Sequence, residues 1–369
     1  SQKALMEHVS FLAAEKIEGR APGSAGGEEA ARYIAARFKE IGLVPGGDAG
    51  TYFQKFTLEK GPAGGPVETA NVIGLIPGTK PEWKEQSAIL SAHYDHLGRG
   101  WPDVHKGDLG RVHPGADDNA SGVAVLIELA KALKSAGAPS RTIVVAAFSA
   151  EEAGLKGSAW YADHPVRPLN QVIGVVNLDT VGRLGPGGKI SVLGTGTASE
   201  WQHIFRGAGF VTGIEHRLIP DQMESSDQMT FIRRNIPGIQ LFTSAHADYH
   251  RPTDTADKID AAGLVKVAAF AREGIAYLGE RDTPLTNTIA PTLLASPGPA
   301  PAAAAPTAGA PSNQAQGRRV SFGSVPDFAF AGPGVKVAGV TPGSPADKAG
   351  LKEGDLLVKL NGEPIPDLK

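Results

Sequence analysis

Cysteine is absent from this chain of 369 residues. Disulfide bonds and metal sites built from thiolates are therefore excluded. No apolar run reaches the roughly 18 residues that a membrane-spanning helix requires, so we expect no membrane span. The N-terminus, Ser1-Gln2-Lys3, has neither an initiator methionine nor a signal-type apolar segment. We interpret it as the start of a trimmed mature form or of a recombinant version of the protein.

The sequence also lacks an excess of either charge sign. Lys and Arg total 36 against 39 Asp and Glu, which gives a net charge of −3. This balance gives no reason to expect nucleic acid as a partner, or a membrane surface bound through a polybasic patch. The length exceeds what one average domain needs and allows a large core plus an appendage.

Residues 1–283 alternate apolar β-type runs with helical patterns, which predicts an α/β domain built in layers. Several of the apolar runs are continuous, as in strands that are covered on both faces. The expected strands are 71–76, 88–92, 142–148, 172–178, 190–193 and 239–242. The expected helices are 27–41, 120–135, 226–234 and 261–278, and Asn119 is expected to cap the second of them.

The end of the chain has a different composition. Residues 284–317 are rich in Pro and Ala and lack the periodicity and the large apolar residues of a core, so we predict a semi-extended linker. Residues 318–369 follow with a pattern of strand, turn, short helix and strand. Within them, 343–346 (GSPA) and 350–355 (GLKEGD) are similar to bacterial PDZ domains. The similarity implies a small partial PDZ-like β/α module, with a peptide or protein as its ligand.

Five segments carry acidic or histidine side chains at the ends of apolar strands or in the loops that follow. Taken singly, each has an ordinary explanation, such as a helix cap, a turn residue or a histidine at a strand end. In open α/β sheets, however, ligands bind outside the carboxyl ends of the strands, so one fold class brings all five to one rim. The five segments are His93-Tyr94-Asp95-His96, Asp117-Asp118-Asn119, Glu151-Glu152, Asn177-Leu178-Asp179 and Asp248-Tyr249-His250.

Two histidines and three carboxylates at one rim suit a pair of zinc ions, each with nitrogen and oxygen ligands and room for water. Their charges also balance, because two dications offset three carboxylates and one bridging hydroxide. In this hypothesis Asp117 is the carboxylate shared by both ions. The predicted metal ligands are His93, Asp117, Glu152, Asp179 and His250.

Two further carboxylates receive roles beside the metals. In the His-x-Asp arrangement, Asp95 is expected to orient the imidazole of His93 without binding metal itself. Glu151, adjacent to the ligand Glu152, is expected to stay free as a general base.

These motifs resemble the co-catalytic zinc aminopeptidases, a family that includes secreted bacterial leucyl aminopeptidases and vacuolar aminopeptidase Y. The similarity runs from Glu18-Gly19-Arg20-Ala21-Pro22-Gly23 to Asp257-Lys258-Ile259-Asp260 and so covers most of the chain. It implies a three-layer zinc-exopeptidase fold in which helices flank a central mixed sheet. Two departures are visible. Gln228 stands where a histidine is common, and the family's protease-associated insertion is absent.

The resemblance also implies which residues would bind each zinc ion. One zinc ion would take His93, Asp117 and Asp179, and the other would take Asp117, Glu152 and His250. A hydroxide held between the ions would be the nucleophile, with Glu151 as general base.

Two details of the site come from the same resemblance. Tyr249 would donate to the oxyanion, although ordinary packing of this ring is an equal alternative. A cis peptide bond is expected between Asp117 and Asp118.

The implied function is removal of N-terminal residues from peptides that have a free N-terminus, by a secreted or periplasmic enzyme. Two enzymatic alternatives stay open, a carboxypeptidase and a glutaminyl cyclase-like enzyme of the same superfamily. A third is a non-catalytic peptide-binding relative, which would be expected to have lost metal ligands. A fourth is a scaffold whose activity lies in the PDZ-like tail.

Overall fold

The computed structural model describes residues 1–105, 107–221, 226–294, 324–326, 333–340, 344–360 and 362–365. They fall into two compact units. The first comprises Ser1–Ser244 and Asp248–Leu294, and the described residues of the tail belong to the second. None of the helices in the described part of the chain combines the length and the apolar character needed to cross a lipid bilayer.

A mixed sheet forms the centre of the first unit. Its strands within the described residues are Val44–Pro45 (β1), Phe53–Leu58 (β2), Val67–Ile76 (β3), Ser87–His93 (β4), Thr142–Phe148 (β5), Val172–Leu178 (β6), Ile190–Leu193 (β7), His216–Ile219 (β8) and Gly238–Phe242 (β9). They lie in the order β1-β3-β5-β4-β6-β9-β7-β8, and β2 also pairs with β3. Antiparallel pairs occur at β3 and at β7–β9, which makes the sheet mixed.

Four neighbouring strands in the middle of the sheet are parallel. β4 pairs in parallel with β5 and β6, and β6 pairs in parallel with β9. Every residue of these four strands is buried. This burial explains why their sequences are continuous apolar runs rather than alternating ones. Because the strands are parallel, their carboxyl ends meet at one edge of the sheet.

Helices cover both faces of the sheet. Those of the first unit are Gln2–Leu12 (α1), Ala25–Ile41 (α2), Gly122–Ala136 (α3), Lys156–Asp163 (α4), Trp201–Thr212 (α5), Gln228–Ile232 (α6), Ala261–Glu280 (α7) and Pro291–Leu294 (α8). Helices α1, α2, α3, α5 and α7 share one apolar core with one face. On the other face, Tyr161 of α4 and Phe231 of α6 pack against Phe148. The predicted three-layer α/β fold is confirmed.

The start of α3 differs slightly from the predicted helix at 120–135. Residues Ala116–Ser121 form a wider π-type turn, in which Asp118 and Asn119 have non-helical dihedral angles. The helix begins at Gly122, so Ser121 rather than Asn119 stands at the N-cap position, and its side chain makes no capping bond. The Asn119 side chain still accepts a hydrogen bond from the first N–H of α3, that of Gly122, at 3.0 Å.

Several elements of the first unit were not predicted from the sequence, namely α1, α4, α5, α8, β1, β2 and β8. The structure also places the end of the first unit at Leu294 rather than at residue 283. Leu285 and Ile289 are buried, because apolar side chains in this segment pack against the unit. Residues 295–317 of the predicted linker lie outside the described residues.

The described tail contains Ser324–Pro326 (β10), Val335–Val340 (β11), Pro345–Lys348 (α9), Leu356–Leu357 (β12), Lys359–Leu360 (β13) and Glu363–Pro364 (β14). Strand β11 lies between β10 and β12, with both pairs antiparallel. Ser344 caps α9 by accepting from the N–H of Asp347 at 3.2 Å. The predicted order of strand, short helix and strand is present.

Candidate metal centre

The carboxyl edge of the parallel strands carries the predicted site residues. His93 is the last residue of β4, and Asp179 directly follows β6. Glu151 and Glu152 come from the loop after β5, and His250 comes from the loop after β9. The rim expected from the strand-end pattern therefore exists.

The ligand atoms of this rim lie close together. His93 Nε2 is 3.2 Å from Asp118 Oδ1 and 3.5 Å from Asp179 Oδ1. His250 Nε2 is 3.2 Å from Asp118 Oδ2 and 3.2 Å from Glu152 Oε2. The two oxygens of Asp118 thus face two different histidines, which is the arrangement of a bridging carboxylate.

Asp117 does not occupy the position that the sequence suggested. Its Oδ1 accepts hydrogen bonds from the backbone N–H of Gly182 and from Ser121 Oγ. Successive residues of the π-type turn at Ala116–Ser121 project in different directions, so the side chains of Asp117 and Asp118 diverge. The non-proline cis peptide bond also lies one residue later than expected, between Asp118 and Asn119.

His96 is a site residue that the sequence reasoning missed. It is fully buried, and its Nδ1 lies 2.7 Å from Glu152 Oε1 and 4.0 Å from Asp118 Oδ2. The only signal in the sequence was its position three residues after His93 in the same strand-end segment.

Candidate ligand atoms form two clusters within the described residues. The atoms of each cluster lie within 4.8 Å of one another. The first cluster is His93, Glu151 and Asp179, and the second is His96, Asp118 and Glu152.

Asp95 supports the acid pair more directly than it supports His93. Its carboxylate accepts from the backbone N–H of Glu151 at 3.1 Å and lies 3.4 Å from the N–H of Glu152. His93 Nδ1 lies 3.7 Å from Asp95 Oδ1 and 3.2 Å from the Asp95 backbone carbonyl oxygen. Asp95 is therefore in place to hold the loop that carries both glutamates.

Left-handed backbone conformations cluster at the rim. Ala150, which precedes the acid pair, has φ of 56°, and Thr180, which follows Asp179, also has φ of 56°. His250 itself has φ of 57°. Such angles are uncommon for residues other than glycine and cost free energy, so they persist only where the surrounding structure enforces them.

The two adjacent glutamates have opposite electrostatic environments. Burial raises the pKa of Glu151 well above its ordinary value, and the negative charge of Glu152 adds to this effect. Burial also works against ionisation of Glu152, but His250 and His96 lower its pKa to about 2. Two carboxyl groups whose pKa values differ in this way suit two different tasks. The one with the raised pKa can carry a proton, and the one with the lowered pKa stays ionised as a ligand.

The histidines are held in the charged form when no metal is bound. Burial opposes the charge on His93, but the carboxylates around it, Glu151 and Asp179 foremost, raise its pKa well above the ordinary value. For His250, burial likewise opposes the charge and Glu152 raises the pKa. Contacts with both histidines outweigh burial and hold the pKa of Asp118 well below its usual range.

The loop after β9 brings two further side chains to His250. The ring of Tyr249 stacks on His250 with the centroids 3.9 Å apart and an interplanar angle of 18°. Asp103 Oδ2 lies 3.6 Å from His250 Nδ1, and this histidine lowers the pKa of Asp103 to about 2. No motif in the sequence indicated Asp103.

A buried polar layer lies next to the rim. Asp227 is fully buried, and within the described residues neither of its carboxylate oxygens has a hydrogen-bond partner. Burial raises the pKa of Asp227 to about 7. Gln228, which stands where a histidine is common in the family, accepts from Asn177 Nδ2 at 3.1 Å and donates to Gln240 Oε1 at 3.2 Å. The amide is therefore part of a hydrogen-bonded network beneath the sheet edge.

The donor set fits zinc. Buried imidazole nitrogens and carboxylate oxygens are its usual protein ligands. His250 Nε2 lies near two carboxylates, yet within the described residues it has no hydrogen bond of normal geometry, and the same is true of His96 Nε2. Atoms that converge without forming hydrogen bonds are those expected around a cation.

A known peptidase family matches the part of the chain that carries this site. The model of peptidase family M28 matches residues 71–275, which is more than half of the chain. The chain belongs to peptidase family M28. The matched range contains each of the predicted metal ligands and the predicted general base. A PDZ domain model matches residues 336–369, which supports the PDZ-like interpretation of the tail.

Curated relatives agree with this assignment. Leupeptin-inactivating enzyme 1 of Streptomyces exfoliatus is 28% identical over 258 residues, which cover 69% of this chain and 51% of that protein. Leucine aminopeptidase 2 of Arthroderma otae is 28% identical over 240 residues, which cover 57% of this chain and 44% of that protein. Among the first relatives, this M28 chain spans between 22% and 51% of their length.

Solved structures share the fold. A zinc aminopeptidase from Bacillus subtilis aligns with a TM-score of 0.62 and 18% identity over 79% of this chain and 99% of that one. A glutaminyl cyclase from Bacteroides thetaiotaomicron aligns with a TM-score of 0.61 and 20% identity over 75% of this chain and 97% of that one. At these identities the likeness establishes the fold alone, so the activity depends on the site.

Separate substitution of the two adjacent aspartates tests which of them bridges the metal ions. Asp118→Asn should weaken zinc binding by at least about tenfold, because it removes a charge that both histidines face. The matched variant Asp117→Asn keeps an oxygen for Gly182 and Ser121 and should retain the zinc content of the unchanged protein. Elemental analysis after dialysis measures both. Zinc loss in Asp117→Asn but not in Asp118→Asn would restore the original assignment.

Zinc affinity should depend on pH because His93 and His250 carry protons in the metal-free protein. Zinc binds neutral imidazole, so each ion must displace a proton wherever the pH lies below the raised pKa. The dissociation constant should therefore rise as pH falls, by about tenfold per pH unit for each displaced proton. Chelator competition, corrected for protonation of the chelator, measures this dependence. A constant that is flat between about pH 6 and about pH 8 contradicts it.

Proposed function

We propose that this M28 chain binds two zinc ions bridged by Asp118 and hydrolyses the N-terminal peptide bond of peptides. The observation that carries the proposal is the placement of the Asp118 carboxylate between two histidines, one oxygen facing each at 3.2 Å. Family membership and the relative named leucine aminopeptidase support the same conclusion.

The spacing of the ligand atoms fits zinc ions that would be held between them. Zinc bonds to imidazole nitrogen and carboxylate oxygen are about 2.0–2.2 Å long, so two ligands of one tetrahedral ion lie about 3.3 Å apart. Around His93 the distances to Asp118 and Asp179 are 3.2 Å and 3.5 Å. Around His250 the distances to Asp118 and Glu152 are both 3.2 Å. We therefore assign one ion to each histidine and its two carboxylates.

The residues of the chain then have separate roles in hydrolysis. When bound, the two zinc ions act as Lewis acids that lower the pKa of water and polarise the scissile carbonyl. Glu151 takes the proton of the attacking water and passes it to the leaving amine, a role that suits its raised pKa. His96 holds Glu152 through the 2.7 Å contact, and Asp95 holds the backbone of both glutamates.

The acidic character of the rim favours substrates with a free amine. Glu151 and Asp179 lie in one cluster with His93, so a substrate ammonium group entering there meets carboxylates. An acylated N-terminus lacks the positive charge that this environment stabilises. We therefore infer an aminopeptidase rather than a carboxypeptidase. Tyr249, stacked on His250, stays the predicted donor to the oxyanion.

The remaining alternatives differ in what they require of the site. A glutaminyl cyclase shares the fold, but cyclases resemble a one-metal version, whereas His93 and His250 each face two carboxylates within 3.5 Å here. A non-catalytic relative would be expected to lack ligands. For the tail, the PDZ match leads us to propose a peptide or protein ligand, and export of the protein stays a prediction.

Glu151→Gln separates chemistry from metal binding. The variant keeps the size of the side chain and removes the proton carrier, so kcat should fall by about 10²–10⁴-fold while both zinc ions remain bound. KM should change little, because the lost interaction acts in the transition state. Steady-state kinetics and elemental analysis measure the two quantities, with Glu152→Gln as the control that should lose zinc. Zinc loss in Glu151→Gln would mean that the two roles are exchanged.

Acetylation of the substrate tests the aminopeptidase assignment. Aminoacyl chromogenic amides with a free α-amine should be cleaved, with activity lost to a chelator and restored by zinc. The same amides with an acetylated amine should not be cleaved measurably, because the ammonium charge is gone. Equal cleavage of both would overturn the assignment and favour a carboxypeptidase. Ammonia release from an N-terminal glutaminyl peptide without hydrolysis would favour the cyclase.

A further inference from the structure

Arg20 is a fully buried cation whose partners are all backbone carbonyls. Its Nε donates to the carbonyl of Tyr94 at 2.8 Å, and its Nη2 donates to the carbonyl of Gly115 at 3.0 Å. Its Nη1 donates to the carbonyls of Pro114 at 2.6 Å and Leu12 at 2.5 Å. Four of the five N–H donors of one guanidinium are thus used to hold main chain.

Three of the four carbonyls that Arg20 binds, those of Tyr94, Pro114 and Gly115, belong to the two loops that carry the proposed metal ligands, and the fourth, that of Leu12, ends α1. Tyr94 directly follows His93, at the end of β4. Gly115 opens the turn that carries Asp118 three residues later. One planar side chain therefore joins the loop of a histidine ligand to the loop of the bridging carboxylate.

The backbone around Arg20 is fitted between the same loops. The carbonyl of Arg20 accepts from the N–H of His96 at 3.3 Å, and the carbonyl of Gly19 accepts from the N–H of Gly98 at 2.9 Å. Gly19 has φ of 72°, and a Cβ built on it would lie 2.5 Å from the carbonyl oxygen of His113. Only glycine permits this approach, so the segment is shaped to place the guanidinium.

An anion holds the amide side of the Asp118 loop. Asp254 Oδ2 accepts from the backbone N–H of Asp117 at 2.9 Å and of Asp118 at 3.1 Å. Asp254 Oδ1 is paired with Arg183 at 3.2 Å. The loop is therefore held at its carbonyls by a buried cation and at its amides by a buried anion, which leaves it little freedom to shift.

The charge of Arg20 also suits its position. Burial lowers its pKa to about 10, which leaves it protonated at neutral pH, and the nearby charges of Asp118, Asp95 and Asp254 favour that form. Removal of this cation would take one donor from each of the four carbonyls, of which that of Gly115 keeps a hydrogen bond from the N–H of Ala120. It would also leave the acidic rim without one of its compensating charges.

We propose that Arg20 is a positioning residue that sets the spacing between the His93 and Asp118 loops and thereby the affinity of the zinc centre. This inference rests on the proposed two-zinc function, because it concerns the ligands assigned there. The fork of a guanidinium reaches four carbonyls at once, whereas the ammonium group of lysine is a point donor that cannot span them. Shape as well as charge is therefore required at this position.

Arg141 provides a matched control. It is also fully buried, and it donates to the backbone carbonyls of Leu278 and Arg281 and to Gln86 Oε1. It directly precedes β5, and so lies at the opposite edge of the sheet from the metal centre. Its removal costs a comparable set of buried hydrogen bonds without touching a ligand loop.

The experiment compares zinc dissociation constants of the metal-free full chain by chelator competition, with folding checked by circular dichroism and thermal unfolding. Arg20→Met should raise the zinc dissociation constant by about 10–100-fold, the usual effect of removing a group that orients metal ligands. Arg20→Lys should raise it by a smaller factor, about three- to tenfold, because charge without the fork restores only part of the support. Arg141→Met should lower the unfolding temperature and leave the zinc constant unchanged.

Three outcomes would overturn the proposal. The first is an unchanged zinc dissociation constant in a folded Arg20→Met variant or, if that variant does not fold, the second, an unchanged constant in Arg20→Lys. The third is a loss of zinc affinity in Arg141→Met equal to that in Arg20→Met. The last would show a general effect of stability instead of positioning. The zinc content of the unchanged protein tests the proposed function independently of the variants. Fewer than two bound zinc ions in that protein would refute the proposed function, whatever the variants show.

Discussion

Crowding of buried carboxylates at one sheet edge is the constraint on which the rest of this structure depends. Asp118, Glu151, Glu152 and Asp179 converge there with little exposure to water, and like charges in such surroundings resist ionisation. In the metal-free chain the charge of the histidines compensates part of this repulsion. Metal cations would stabilise this cluster, because they neutralise the carboxylates and replace the histidine protons.

Such a site needs a scaffold that does not relax, and the main chain supplies it. The parallel strands beneath the rim are wholly buried, so their ends cannot move without disturbing the core. Buried ionic groups hold the loops above by binding their backbone atoms. Asp95 binds the acid pair, Asp254 binds the turn of Asp118, and Arg20 joins the loops of His93 and Asp118. Left-handed residues mark where this framework overrides local preference.

The fold and the site contribute separately to function. The same sheet and helices align with a zinc aminopeptidase and with a glutaminyl cyclase at nearly equal TM-scores, so the architecture alone does not choose a reaction. Membership of peptidase family M28 narrows the choice. Within it, the division of labour that we propose for Glu151 and Glu152 rests on their neighbours. His250 and His96 lower the pKa of Glu152, whereas burial and nearby carboxylates raise the pKa of Glu151.

The sequence by itself determined the layered α/β fold, the central strands and most of the residues that meet at the rim, because continuous apolar runs and strand-end acids are local patterns. Strands β5, β6 and β7 begin and end where their apolar runs do. The choice between Asp117 and Asp118 depended on tertiary structure, since adjacent residues in a turn differ only in the direction that the turn gives them. The contacts of His96, Asp103 and Arg20 likewise involve chain segments distant in sequence, which no local pattern encodes.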